Sequence, residues 1–417
     1  MFYLKKNIQK ENHNDYSLQS NDNNHAYVQK GTKQFIRIIL ALFFAGFSTF
    51  SILYSLQPIL PTFSIEFHLT PYQSSLSLSL ATASMAIGML LTGSLSDFFG
   101  RKIIMSISLF LSTFFTILCA CMNTWNEIII MRLLTGFSLS GVAAVAMTYL
   151  SEEINPKILP FAIGLYISGN TIGGFFGRFL SSILINYFSW NMSIMIMGCL
   201  CLIASILFVV CLPSSINFKS TSLKPRQIIY DLICQWNDKL LSVLFIIGFI
   251  LMGSFVTVFN YIGYRLMMKP FFLNQIMIGL LSIVYLFGVY TSPRASSLIE
   301  KYGRKNIVIY SVLIMIMGII ITQSNTLFVI IIGLILFSSG FFAAHSIASS
   351  WIGHQAKIYT GQASSVYLCS YYLGSSVLGT CGGFFWSFGR WMGVSIFISF
   401  VLIIGIKMMS TIKSNIK

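Results

Sequence analysis

The sequence predicts an all-α polytopic membrane protein with twelve transmembrane helices in two pseudo-symmetric six-helix bundles, and three observations lead there. First, 56% of the 417 residues are hydrophobic and only 9% are charged. Soluble domains carry about 25% charged residues, so a soluble globular enzyme is excluded. Second, twelve apolar stretches follow one another from Phe35 onward, each near the roughly 20 residues that a helical crossing needs. Third, the chain repeats itself. Leu95-Ser-Asp97-Phe-Phe-Gly100-Arg101-Lys102 recurs as Leu298-Ile-Glu300-Lys-Tyr-Gly303-Arg304-Lys305 at an offset of 203, and Tyr166, Gly173 and Trp190 recur as Tyr367, Gly374 and Trp391 at an offset of 201.

In chain order, residues 1–34 are polar and Asn-rich, without the apolar core of a secretory signal, and read as a disordered cytoplasmic tail. The first six spans fall near 35–60, 72–96, 103–122, 126–150, 160–188 and 192–212, an N-terminal bundle over 35–212. Residues 213–240 form a cytoplasmic linker, in which Ile229, Ile233 and Trp236 recur at helical spacing opposite Arg226, Asp231 and Asp238. That pattern suits either a short helix on the membrane face or a solvated connection. The last six spans fall near 241–264, 275–296, 307–323, 326–350, 363–388 and 391–409, a C-terminal bundle over 241–410, followed by a short tail at 411–417.

The formal charge of +15 forms no cluster or stripe of the kind nucleic acid requires. With the N-terminal tail inside, 21 of the 26 Lys and Arg fall on the cytoplasmic side, and Arg265, Lys269 and Arg390 fall opposite. An even number of spans with this bias places both termini in the cytoplasm. The cysteines contain no Cys-x-x-Cys pair, and the Cys119/Cys121 and Cys199/Cys201 pairs point their sulfurs to different helix faces, so no metal site is expected.

Arg132 and Arg178 lie inside spans 4 and 5, where an unpaired charge costs at least about 2.5 kcal/mol and faces a cavity or a partner. Arg132 is also close enough to the outer edge to snorkel. No carboxylate falls near the middle of any span, and both arginines fall in the outer half, where they are expected to face one cavity. A pair of uncompensated cations favours an anionic or strongly hydrogen-bonding solute and repels organic cations. The candidates for proton coupling are Glu127, five residues before Arg132, and His345 in span 10, each with a plain packing or surface reading beside it. Tyr54, Gln57, Asn260, Tyr261, Tyr371 and Tyr372 are candidates to line a cavity or to bond helices together. Gly164, Gly169, Gly173, Gly174 and Gly177 give span 5 the small-residue spacing of close helix packing. In the repeated loop, Gly100 suits a tight turn, and Asp97 with Arg101 and Lys102 can make charge-assisted bonds across the interface between the halves.

These residues resemble the major facilitator superfamily over roughly 35–410. Gly93, Asp97, Gly100, Arg101 and Lys102 follow its span-2 loop pattern with Phe98 in place of an arginine, and Glu300, Gly303, Arg304 and Lys305 repeat it. The resemblance implies a gate that holds the cytoplasmic side shut, with Asp97 meeting the start of span 11 near Gly361 and Gln362. Arg132 and Gly136 are similar to its span-4 Arg-x-x-x-Gly element. The span-5 glycines are similar to the antiport signature of drug:proton exchangers, with Asn170 where proline is expected. Spans 1, 7 and 11 are where the superfamily places its central site. The strings around Tyr54–Pro61, Phe259–Arg265, Ser168–Gly174 and Ser370–Ser375 look similar to the YnfM-like group of bacterial inner-membrane transporters, related to sugar-efflux and drug:proton antiporters.

The function implied is secondary active transport of a small solute across the inner membrane by alternating access, as proton-coupled efflux; import, exchange or uniport of an anionic or polar metabolite is the alternative, and a non-transporting receptor a remote one. No P-loop, HExxH or Ser/His/Asp set occurs, so no enzymatic activity, nucleotide or cofactor is expected. The expected partners are the solute, protons and the lipid bilayer, with no nucleic acid and the monomer as the working unit.

Overall fold

The computed structural model describes residues 27–218, 220, 233–356 and 360–412, with the side chains of Val289, Thr360 and Gly361 outside the description. Most of the expected N-terminal tail, Arg226, Ile229 and Asp231 of the linker, and the last residues of the C-terminal tail lie outside the described residues. Helices dominate. A parallel bridge between Val28 and Ile154 is the one extended pairing among the described residues.

Helix α1 spans Lys33–Glu66, α2 Pro71–Phe99, α3 Arg101–Cys119, α4 Trp125–Glu153, α5 Leu159–Tyr187 and α6 Trp190–Cys211. Then come α7 Lys239–Met267, α8 Gln275–Ser297, α9 Arg304–Ile321 and α10 Leu327–Gln355. A final run, Thr360–Ser410, is continuous except at Gly389 and Arg390, whose backbones leave the helical region, and so divides into α11 (360–388) and α12 (391–410). The 29 residues of α2, α4, α5 and α7 reach about 44 Å at 1.5 Å per residue, more than the roughly 30 Å of a hydrocarbon layer.

The sequence sets these boundaries through local chemistry. Thr70 and Gln73 form a capping box with Pro71 in the first turn of α2, and Thr124 and Glu127 form another at α4. A single glycine separates α2 from α3 and another starts α9. Gly100 has φ +100° and Gly303 φ +77°, a region that costs an L side chain and costs glycine nothing.

Helix α1 packs against α5 and α6, α2 against α4, and α3 against α4 and α6, while α7 packs against α11, and α10 against α8 and α9. The closest approaches are the glycine contacts. A Cβ at Gly169 would lie 2.7 Å from the Phe43 carbonyl oxygen and one at Gly177 2.7 Å from Ser51 Cα, while Gly173 lies against the Phe47 backbone. The second half repeats this with Gly374 of α11 against Phe249 of α7. Gly164 faces open space and Gly174 faces the Arg178 guanidinium, so those two glycines do not serve the helix contact expected of them. Between the two groups of six, α2 meets α11, α5 meets α8 and α1 meets α7.

Candidate functional site

The site begins where α1 breaks. Pro58 has no N–H to return to the Tyr54 carbonyl, so the regular ladder stops at Tyr54 and resumes as a tighter turn over Gln57–Ile59. There the Gln57 carbonyl oxygen accepts from Arg178 Nε at 2.5 Å, and its amide nitrogen donates to Asn260 Oδ1 at 2.7 Å. Arg178 on α5, Gln57 on α1 and Asn260 on α7 thus form one hydrogen-bonded chain that crosses between the two helix groups.

Arg178 is 5% exposed. Its Nη1 donates to the Gly174 carbonyl at 2.8 Å, in the space that the absent Cβ of Gly174 leaves open. The guanidinium lies 4.2 Å from the centre of the Tyr54 ring and 4.7 Å from that of Tyr285, held by two aromatic faces rather than by an anion. Among the described residues every ion pair involves Arg101, so no carboxylate compensates Arg178. Gln57, Arg178, Asn260, Phe259 and Tyr285 line a water-sized cavity of about 30 Å³. Asn260 Nδ2 and Tyr54 Oη are buried without a hydrogen-bond partner beside it. Behind Tyr285 the wall is aromatic: Phe259 at 4.6 Å, Phe255 at 5.1 Å, and Phe341 stacked on Phe255 at 4.1 Å.

Arg132 is not in this cavity, which corrects the expectation that the two arginines share one. It is 1% exposed and does not snorkel either. Its guanidinium donates to the carbonyls of Ser77 (3.1 Å), Leu53 (3.2 Å) and Ile52 (3.5 Å), two of them at the end of the regular part of α1. Arg132 therefore fastens α4 to α2 and to the break in α1. Glu127 is exposed and accepts from the backbone N–H groups of Asn123 and Thr124, so it caps α4 instead of lining a proton path. Tyr261 is fully buried and donates to the Gly379 carbonyl at 2.9 Å, a bond from α7 to α11 outside the cavity lining. His345 Nδ1 is hydrogen-bonded with Tyr367 Oη at 2.8 Å, stacks on Phe341 and lies tilted against Tyr371, and Tyr372 packs edge-on to Tyr371. These last three extend the aromatic wall without touching the small cavity.

The model of the Major Facilitator Superfamily matches residues 42–378. The chain belongs to the major facilitator superfamily. It is a multi-pass membrane transporter and not an enzyme. It is 50% identical over 392 residues to the inner membrane transport protein YnfM of Escherichia coli K12, covering 94% of each chain. It is 58% identical over 383 residues to an uncharacterized transporter of Buchnera aphidicola subsp. Baizongia pistaciae, covering 92% of this chain and 95% of that one. Among solved structures, the nucleoside transporter NupG matches with a TM-score of 0.73 at 15% identity, over 90% of this chain and all of that one, which speaks to the fold alone.

The arginine of the superfamily loop after α2 is paired within the first six helices. Arg101 pairs with Asp97 and, at 2.6 Å, with Glu152 of α4, and its Nη1 donates to Ser96 Oγ at 2.6 Å. Lys102 donates to the Leu212 carbonyl. Gly93 faces open space. The start of span 11, where Asp97 is expected near Gly361 and Gln362, follows residues 357–359, which lie outside the described residues. In the second copy Lys305 donates to the Ser410 and Ile412 carbonyls, while Arg304 Nε is buried without a partner. Neither Arg304 nor Glu300 forms an ion pair among the described residues.

Sequence reasoning missed Tyr285 and Glu152 as members of these clusters. Tyr285 sits in a tight-turn stretch, Leu281–Tyr285, that no motif marks, and Glu152 reaches Arg101 across 51 residues of chain.

Proposed function

We propose that this superfamily transporter carries a small organic anion with a flat apolar body, bound at Arg178, in a cycle of alternating access between the two six-helix groups. The observation that carries this reading is a desolvated guanidinium between two tyrosine rings whose side-chain hydrogen-bond partner is a neutral amide. A carboxylate offers Arg178 an opposite charge and two acceptor oxygens in place of one neutral amide oxygen, so an anionic ligand displaces the Gln57 oxygen from Arg178. The aromatic wall behind Tyr285 suits the ligand's apolar face, and the unpartnered Asn260 Nδ2 and Tyr54 Oη add polar contacts. An organic cation meets Arg178 with like charge.

Displacing Gln57 also frees the amide that bridges to Asn260. Ligand binding in this reading loosens a bond that joins the two groups, which is the differential interaction that a ligand-driven transition needs. We place the termini in the cytoplasm, on the Lys and Arg bias, and the protein in the inner membrane, on the Escherichia coli relative. The direction we assign is proton-coupled export, on the likeness of the α5 glycines to the antiport signature, with His345 as the remaining titratable candidate.

The test is transport of a labelled panel of sugars, amino acids, organic anions and cationic dyes in inverted vesicles, with and without an imposed pH gradient. Gradient-dependent movement of an organic anion supports the reading. Movement of a cationic dye in its place overturns it.

A further inference from the structure

A second and much larger cavity opens on the face opposite the start of α1 and the end of α12. Its volume is about 470 Å³, within the range of about 300–1,000 Å³ typical of small-molecule sites. It lies among the ends of α1, α7 and α11 and the start of α2. Pro61 lines both this cavity and the small one at Arg178, so one turn of α1 is the partition between them. Two hydrogen bonds fasten that partition to α7: Gln57 to Asn260 at 2.7 Å and Ser64 Oγ with Tyr264 Oη at 2.8 Å.

The chemistry of the outer cavity parallels that of the inner one. Tyr264 and Trp386, both largely buried, stand 5.8 Å apart at a tilt of 48° and form an aromatic wall. Arg390 alone is charged among the described lining residues; Glu66 follows the lining residue Ile65. The Arg390 guanidinium reaches from the α11–α12 break to Met268 Sδ at 3.7 Å, across to the end of α7. Its backbone holds φ +50° and ψ −139°, a conformation L-residues rarely adopt, although Gly389 next to it has an ordinary φ of −130°. The strain thus sits on the arginine rather than on the residue that bears it at no cost, and such strain clusters at ligand sites.

We infer that this cavity is an antechamber, a second binding site for a flat organic anion, with the ring of the ligand on Trp386 and Tyr264 and its carboxylate at Arg390. The inference rests on the reading that the cargo is an organic anion. Release of the two α1–α7 bonds joins the chambers past Pro61 and passes the anion between Arg390 and Arg178.

The test uses the purified full-length protein, benzoate as the probe, benzylammonium as its charge-reversed control, and tryptophan fluorescence as the readout. Benzoate is expected to change the emission saturably, and Trp386→Phe to remove that change, which assigns it among the six tryptophans. Arg390→Gln is expected to weaken the apparent affinity about tenfold. Arg390→Gly, which suits the positive φ and so preserves the fold, is expected to weaken it equally. Arg178→Gln is expected to leave this signal in place while abolishing transport.

A signal indifferent to both Arg390 variants, or matched by benzylammonium, overturns the antechamber. Loss of benzoate transport in Arg178→Gln without any Trp386-dependent signal also overturns it and leaves the central reading standing. A Trp386 and Arg390-dependent signal in a protein that still transports after Arg178→Gln supports the antechamber and overturns the central reading.

Discussion

Gln57 and Asn260 are 203 residues apart in the chain and 2.7 Å apart in space. The loop repeat at Gly100 and Gly303 carries the same offset, and the two amides meet across the interface between the halves. Duplicated transporters bind their substrates at the interface between the repeats, which is where the proposed site stands. The symmetry ends at Arg178. Its counterpart at an offset of 201 is Gly379, so one half brings the cation and the other brings Tyr285 and the aromatic wall.

Gln57→Glu places a carboxylate within reach of Arg178. The internal pair then competes with any anionic ligand, and transport is expected to fall by about tenfold or more in protein that still folds. Flux assays beside a thermal-melt measurement check this, and wild-type flux speaks against Arg178 as the anion's partner.

Arg132 and Arg178 are expected to fail in different ways. Arg132→Ala removes one donor from three carbonyls at the α1–α2–α4 junction and should cost about 1–3 kcal/mol, seen as a drop in thermal stability in detergent. Arg178→Gln should keep its melting temperature near that of the wild type and lose transport.

Gly173→Leu forces α5 away from the Phe47 backbone of α1 and should destabilise the fold by about 1–3 kcal/mol. Gly164→Ala meets open space and should stay within about 0.5 kcal/mol of the wild type. Comparing folded yield and melting of the two variants checks the assignment.

Glu127→Ala is expected to lower the melting temperature slightly through the broken capping box and to leave the transport rate and its pH profile unchanged. A flattened pH profile would restore Glu127 as a proton carrier.

The spans were legible because apolar length and capping chemistry are local. The twelve expected stretches and the observed helices agree to within a few residues, and the one-glycine breaks at Gly100 and Gly303 fall where the repeat puts them. Tyr54, Gln57, Asn260 and Arg178 stood out individually as polar groups in apolar surroundings, but their linkage depends on how α1, α5 and α7 pack. Arg132 was misplaced for a physical reason: the break before Pro58 leaves carbonyls for a guanidinium to satisfy, and the sequence carries no mark of where that guanidinium comes from. Tyr285 and Glu152 act through contacts that no spacing encodes.

The central claim is that Arg178 selects an anion, and the most direct measurement is the flux of labelled benzoate and of labelled benzylammonium through proteoliposomes carrying wild type, Arg178→Lys or Arg178→Gln. The account predicts benzoate flux in the wild type, reduced flux with lysine, none with glutamine, and no benzylammonium flux in the wild type. Wild-type benzylammonium flux, or benzoate flux unchanged in Arg178→Gln, would contradict it.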